Sequence, residues 1–284
     1  MKIGLIDLGG GMRGTYATGI LEYCTKNNIK FDCCIGVSAG SSNLINFLSN
    51  QQERNYRYYF DYAFRKENVG LQSLFKTGSF FNYKNIYEVY PKSDNIDPID
   101  YDALMNNPAD FFIVAEECAS GKTKYFTKKN IKKDDYRVLS ASCNIPVVGT
   151  KVEIDGIRYY DGGFADPVPI QKALDEGCDK IVLIATRPIK KPRKPTRDNF
   201  FSFFLRFKYP KAAKRLTQRA KEYNEGIEFA KKLEKEGKVL ILSPENTYGL
   251  DTLTIDKIAM QKLYEEGKKD AEKITEWMKE FQEN

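Results

Sequence analysis

Three short motifs hold residue types that can do chemistry. In Gly36-Val37-Ser38-Ala39-Gly40 a serine sits among small residues, where the apolar run FDCCIGV (31–37) gives way to a helical pattern. A strand, a G-x-S-x-G turn and a helix hold such a serine on a sharp bend, its hydroxyl projecting from the sheet edge near a positive helix end. This is the setting of a nucleophile, although Ser38 would also serve as an ordinary helix N-cap. The second motif, Gly9 to Gly14 (GGGMRG), follows the apolar run KIGLIDL (2–8). Successive glycines let backbone N–H groups converge on an anion. One reading is an oxyanion hole beside Ser38. Another is a dinucleotide fingerprint through Gly9, Gly11 and Gly14. That fingerprint wants an acid at the end of the second strand, but Asp32 stands at its start and the serine motif fills its end. A plain glycine turn is the third reading. The last motif, Asp161-Gly162-Gly163, closes the strand pattern IRYY with a carboxylate on a tight turn. Asp-Gly is also among the commonest turn dipeptides, so alone it says little.

The chain has no histidine. Every Ser-His-Asp and Cys-His arrangement is therefore excluded, and a base must be a carboxylate, a lysine, a tyrosine or the N-terminal amine. A serine elbow needs some group to take its proton, which raises Asp161 above a mere turn residue. The six cysteines (24, 33, 34, 118, 143 and 178) form no CxxC pair and read as buried reduced thiols. Without histidine a structural zinc site is not expected.

The elements that must position these motifs follow from periodicity. With 284 residues, 42% of them hydrophobic, the chain can bury one sizeable core. No apolar run approaches the roughly 20 residues of a membrane span, and the N-terminus lacks a signal peptide's apolar stretch, so a cytoplasmic protein is expected. Strands are predicted over 2–8, 31–37, IRYYDGG (157–163, running into the Gly-Gly turn), 180–186 and KVLILSP, with a strand pair over 111–120 and 122–127 about Ser120-Gly121. Helices are predicted over 14–27, through AGSSNLINFLS (39–49), over 136–143 before Pro146, from Lys172 to a stop at Gly177, over some twenty residues ending near Gly237, and at the C-terminus. Strand, glycine loop, helix, strand, tight turn and helix open an α/β fold with a mainly parallel sheet. The aromatic stretch 53–90, with Tyr56, Tyr58, Tyr59, Phe60, Tyr62, Phe64, Phe75, Phe80, Phe81 and Tyr83, is expected to form helices, less regular than the flanks, that wall a pocket.

DLGGGMRG, GVSAG and DGG, in this order and at these separations, resemble the patatin-like phospholipases, in particular their bacterial single-domain members. SASCNIPVV (140–148) is a further family-like stretch, and the likeness covers residues 3–175. It implies a three-layer α/β/α fold and a lipid acyl-ester hydrolase with Ser38 as nucleophile and Asp161 as base. Residues 176–284 would complete the same domain. The loop amides of Gly9, Gly10, Gly11, Met12 and Arg13, with Ala39, would form the oxyanion hole, chiefly through Gly10 and Gly11. Arg13 would support the anion or pair at the surface. Gly14, Gly36, Gly40, Gly162 and Gly163 would be the motif glycines that permit the turns. No metal or organic cofactor is implied. The alternatives are a carboxylesterase for small soluble esters and a catalytically silent lipid-binding protein.

Charge is unevenly placed. Residues 187–221 hold thirteen Lys/Arg and one acid, Asp198, against a net +6 for the chain. Within them, 187–215 interleaves cations with FFSFFLRF. Three readings compete: a lid whose phenylalanines cover the acyl pocket, a peripheral contact with a membrane surface, and nucleic-acid binding, the least expected. Lys211–Lys235 reads as a solvated amphipathic helix with no functional role.

Overall fold

The computed structural model describes residues 1–68, 70, 73, 82–145 and 152–282. Phe75, Phe80, Phe81, Pro146 and the end of the SASCNIPVV stretch lie outside them. One eight-stranded sheet organises the chain. Its strands are β1 (Ile3–Asp7), β2 (Cys33–Val37), β3 (Asp110–Glu117), β4 (Thr123–Thr127), β5 (Val152–Ile154), β6 (Ile157–Asp161), β7 (Lys180–Ile184) and β8 (Val239–Leu242). β3, β2, β1, β7 and β8 run parallel, while β4, β5 and β6 join antiparallel. The central strands are apolar throughout because helices cover both faces, as parallel sheets require.

Alternation along β1 and β2 divides the core. Leu5 and Cys34 join one buried cluster, and Ile6, Cys33, Ile35 and Val37 join the other. The adjacent cysteines therefore face opposite sides of the sheet, and all six thiols are buried and free. The first face is covered by α1 (Thr15–Lys26), α2 (Ala39–Leu48), α3 (Gln52–Phe60), α4 (Tyr101–Asn106) and α5 (Arg137–Cys143), together with α9 (Lys257–Asp270) and α10 (Glu272–Gln282). The second is covered by α6 (Ile170–Asp175) and the long α8 (Pro210–Lys235). Between β7 and α8 lies α7 (Thr196–Leu205). This is the expected three-layer α/β/α arrangement. The periodicity places most elements within two or three residues of their observed ends; α3 is one of the helices expected in the aromatic stretch, whereas α4, α7 and the short β5 were not expected.

The register of β3 does most to build the site. β4 fills one edge of β3 from Phe112 to Glu116. On the other edge β2 pairs up to Val37↔Val114, and β6 takes over at Asp161↔Ala115. Consecutive residues of one strand thus bring the end of β2 against the end of β6. Ser38 follows Val37 directly, so the backbone alone sets it beside Asp161.

Candidate active site

Ser38 occupies φ 57°, ψ −131°, between β2 and α2. Few L residues adopt such a conformation, and it persists only where the surroundings impose it. Here a chain of hydroxyls does so. The Ser38 N–H donates to Ser142 Oγ at 3.0 Å, Ser142 and Ser41 share a bond of 2.8 Å, and Ser41 Oγ donates to the Gly36 carbonyl at 2.8 Å. Ser142 comes from α5, so the SASC stretch supplies the clamp on the elbow.

The glycine loop is docked onto that elbow. Gly9 has φ +61°, and a side-chain carbon there would collide with the Val37 carbonyl. In return, a carbon on Gly40 would strike the Asp7 carbonyl. Only glycines let the two turns interlock at this distance. Gly14, Gly36, Gly162 and Gly163 are likewise closely approached, by Tyr59, Ser41, Val114 and Arg219 in turn.

The loop amides divide into two groups. The Gly9 N–H donates to Asp7 Oδ1 at 2.8 Å, and the Met12 N–H donates to the Thr252 carbonyl at 3.1 Å. Thr186 Oγ1 donates to the Gly9 carbonyl. The Gly10 and Gly11 N–H groups meet no acceptor among the described residues. Of the wider set expected, Gly9 and Met12 thus spend their amides on holding the loop, while Gly10, Gly11 and the first residue of α2, Ala39, keep theirs free for an anion. The Arg13 side chain turns back along the loop to Asp251, 3.2 Å away.

Asp161 is buried, and its Oδ1 accepts the Gly163 N–H at 2.8 Å. Its own N–H donates to the Asn144 carbonyl at 2.9 Å. Burial raises the carboxyl above its ordinary range, while the Arg219 guanidinium, the Ser38 hydroxyl and the Gly163 N–H each favour the ionised form. The β2–β3–β6 register thus sets the Ser38 hydroxyl close enough to the Asp161 carboxylate to favour its ionised form. Cys143 also lies against the Ser38 hydroxyl, with Tyr87 beside it. Tyr58 and Tyr87 stand 5.4 Å apart and Tyr83 and Tyr87 5.9 Å apart, so aromatic rings wall this side of the serine.

Two residues here were not among those the sequence singled out. Asp7 is a buried acid within an apolar strand; its Oδ2 accepts from Asn43 at 2.9 Å, and Asn43 in turn accepts from Tyr59 at 3.0 Å. Burial lifts its pKa to about 6, against the pull of those donors. One charge in a run of apolar residues was the available signal. Arg219 belongs to α8, the helix expected to be solvated and without role. α8 is amphipathic, burying Ala212, Leu216, Ala220, Tyr223 and Ile227, but Arg219 lies over the Phe164 ring at 4.3 Å and faces Asp161. Burial lowers its pKa to about 10.

The basic segment also departs from expectation. In α7, Asp198, Ser202 and Leu205 face inward, Ser202 donating to the Ala213 carbonyl at 2.9 Å. Phe200, Phe203, Phe204 and Phe207 point outward and are 60, 53, 52 and 79% exposed. A lid carrying its phenylalanines over the pocket is not what is seen; only Phe201 turns in, to the cluster around Phe164.

Comparison with known proteins agrees with this fold. The solved structure of VipD from Legionella pneumophila shares the fold, with a TM-score of 0.51 at 11% identity, over 96% of this chain and 66% of that one. Among curated sequences, the uncharacterized protein YjjU of Escherichia coli (strain K12) is 28% identical over 191 residues, 66% of this chain and 52% of that protein. The chain thus spans about half the length of that relative. Residues 209–283 match a model described as a domain of unknown function (DUF6363). Residues 8–174, more than half of the chain and all three motifs but for the first strand, match the model of the patatin-like phospholipases, and the chain belongs to that family.

Proposed function

We propose that the chain hydrolyses lipid acyl esters through an acyl-serine intermediate, with Ser38 as nucleophile and Asp161 as general base. The observation that carries this reading is the register of β3, which sets Ser38 beside Asp161 at the two uncommitted amides of Gly10 and Gly11. Asp161 takes the Ser38 proton as Oγ bonds to the carbonyl carbon. The resulting oxyanion is met by the Gly10, Gly11 and Ala39 amides. When the carbon–oxygen bond to the alcohol breaks, Asp161 returns the proton to the leaving oxygen. Water then attacks the acyl-serine, giving its proton to Asp161, and Ser38 is restored. An aspartate is a weak base for a hydroxyl, so alignment and the amides carry most of the barrier reduction; each amide of this kind contributes about 3–4 kcal/mol.

The outward phenylalanines of α7 are the proposed contact with substrate in aggregated form. Lys190, Lys191, Lys194, Arg206, Lys208, Lys211 and Lys214 are exposed around them, a pairing of apolar face and cations that suits an anionic bilayer surface. Among the described residues no helix is long and apolar enough to cross a membrane, so the contact is peripheral to the bilayer.

Labelling with a fluorophosphonate, followed by peptide mapping, tests the chemistry. Ser38 is expected to carry the label, Ser38→Ala to lose it and Asp161→Asn to slow it by at least a hundredfold. A folded chain that stays unlabelled with lipid vesicles present would mark a silent lipid-binding protein instead.

A further inference from the structure

Four arginines from distant parts of the chain converge beside Ser38 and Asp161. Arg13 lies in the glycine loop, Arg187 and Arg193 follow β7, and Arg219 sits on α8. Their common neighbour is Tyr223, a buried side chain one turn beyond Arg219. The Arg187 and Arg193 guanidiniums lie 5.6 and 6.0 Å from its ring centre, and all four arginines act on its phenol. Arg13 Nη2 is 3.0 Å from the point where Gly10 would carry a side-chain carbon, and Arg219 Nη2 is 3.0 Å from the same point on Gly163. The cluster therefore reaches from the free amides of the glycine loop to the turn that holds Asp161.

The acids nearby do not balance it. Asp251 pairs with Arg13 at 3.2 Å, and Asp198 is shared by Arg193 at 3.1 Å and Arg219 at 3.4 Å. Arg187 has no carboxylate ion pair among the described residues. Glu116 lies within reach of Arg219, but burial lifts its pKa to about 8, so at neutral pH it is mostly uncharged. Even with Asp161 ionised, three carboxylates face four guanidiniums. Burial also holds Arg13, Arg187 and Arg219 below the ordinary arginine range. Anchoring α7 needs no more than Asp198 with Arg193 and Arg219, and Arg187 takes no part in those ion pairs. A guanidinium that lies over a ring and joins no ion pair has N–H donors to offer, and their planar fork matches the oxygens of a phosphate.

We propose that Arg187 and Arg193, with Arg13, form a subsite for the phosphodiester of a phospholipid whose acyl ester lies at Ser38. A phosphodiester carries a single negative charge, equal to the excess of the cluster. The proposal rests on the acyl-hydrolase reading for the position of the ester, but not for the binding of the anion.

Calorimetric titration of the full chain carrying Ser38→Ala separates the two. Glycerophosphocholine, inorganic phosphate and glycerol are titrated into that protein, and into the same protein with Arg187→Gln or Arg187→Lys. The expected result is that the phosphodiester binds more tightly than inorganic phosphate and glycerol does not bind. Arg187→Gln should weaken the phosphodiester tenfold or more, and Arg187→Lys, which keeps the charge without the fork, should weaken it less. Tighter binding of inorganic phosphate would assign the site to the free anion and overturn the head-group assignment. No binding, or equal binding by a folded Arg187→Gln protein, would overturn the subsite altogether; if the Gln variant does not fold, unchanged affinity in Arg187→Lys does so. In the Ser38 protein, kcat/KM for phosphatidylcholine relative to diacylglycerol of the same chains should fall at least tenfold with Arg187→Gln. Failure to cleave any ester would sink the hydrolase reading alone, since the titrations do not depend on turnover.

Discussion

The conformation of Ser38 allows a measurement of how much the fold invests in presenting this hydroxyl. At φ 57°, ψ −131° an L side chain is strained, by roughly 1–3 kcal/mol, and glycine is not. Ser38→Ala keeps the β-carbon and hence the strain, whereas Ser38→Gly relieves it. Both remove the hydroxyl that supports the Asp161 carboxylate, so that loss cancels when the two variants are compared. At an ordinary position glycine is the less stable of the pair by roughly 0.5–1 kcal/mol, because its unfolded chain is freer. Here the strain outweighs that difference, and the glycine variant should be the more stable by roughly 0.5–2 kcal/mol. Urea unfolding of the two variants side by side at neutral pH reads the difference directly. An alanine variant as stable as the glycine one would mean that the elbow stores no strain, and the account of the Ser142–Ser41 clamp as its restraint would fail.

Asp7 should make stability depend on pH. Its pKa rises from 3.8 unfolded to about 6 in the fold, so its contribution is fully present in acid and is lost as pH climbs through 6. Wild type should lose roughly 2 kcal/mol relative to Asp7→Asn between pH 4 and pH 7; a gap that does not change with pH would refute this. Because the buried Asp161 sits above the ordinary carboxylate range, the acid limb of kcat/KM should lie above it too, and a limb within that range would exclude Asp161 as the base. Substituting Phe203 and Phe207 by serine should weaken binding to phosphatidylserine vesicles by roughly 1 kcal/mol for each ring. Wild-type binding should also fall with salt, and indifference to both changes would remove the bilayer contact. A chain cut after Lys208 is expected to lack the cooperative unfolding transition of the full chain, and a transition of equal midpoint would show that the two parts fold independently.

The fold was legible where burial writes a clear period. β1, β2 and β7 are apolar runs bounded by turn residues, and α1 and α8 carry one apolar stripe each. The three motifs were legible because sharp turns demand small residues at fixed offsets, as the interlock of Gly9 with the Val37 carbonyl shows. The meeting of Ser38 with Asp161 was not, since it depends on β6 sharing an edge of β3 with β2, a pairing between residues far apart in the chain. Arg219 was hidden for another reason. Its helix mixes charge signs at every turn, and nothing local tells the one guanidinium that faces a carboxylate from those in solvent. A lid was among the readings of the α7 segment because phenylalanines are expected inside, whereas the buried positions here are Asp198, Ser202 and Leu205.

The parts outside the three motifs bear on the site more than their sequence suggests. Thr186 and Thr252 fix the two ends of the glycine loop, through the Gly9 carbonyl and the Met12 N–H, and so decide which amides remain free. Asp251 holds Arg13, and Arg219 holds the charge of Asp161. The last two helices also seal the first face of the sheet. Tyr16 of α1 donates to Asp270 at 2.7 Å, Tyr23 meets Thr275 at 3.0 Å, and Lys180 of β7 lies 5.1 Å from the Phe281 ring. Residues 8–174 contain the proposed reacting groups, but Thr186, Arg219, Asp251 and Thr252, which hold the glycine loop and face Asp161, come from residues 186–252. That is the physical reason to treat residues 3–282 as one cooperative unit, and to expect variation between 186 and 252 to alter the reaction without touching a motif.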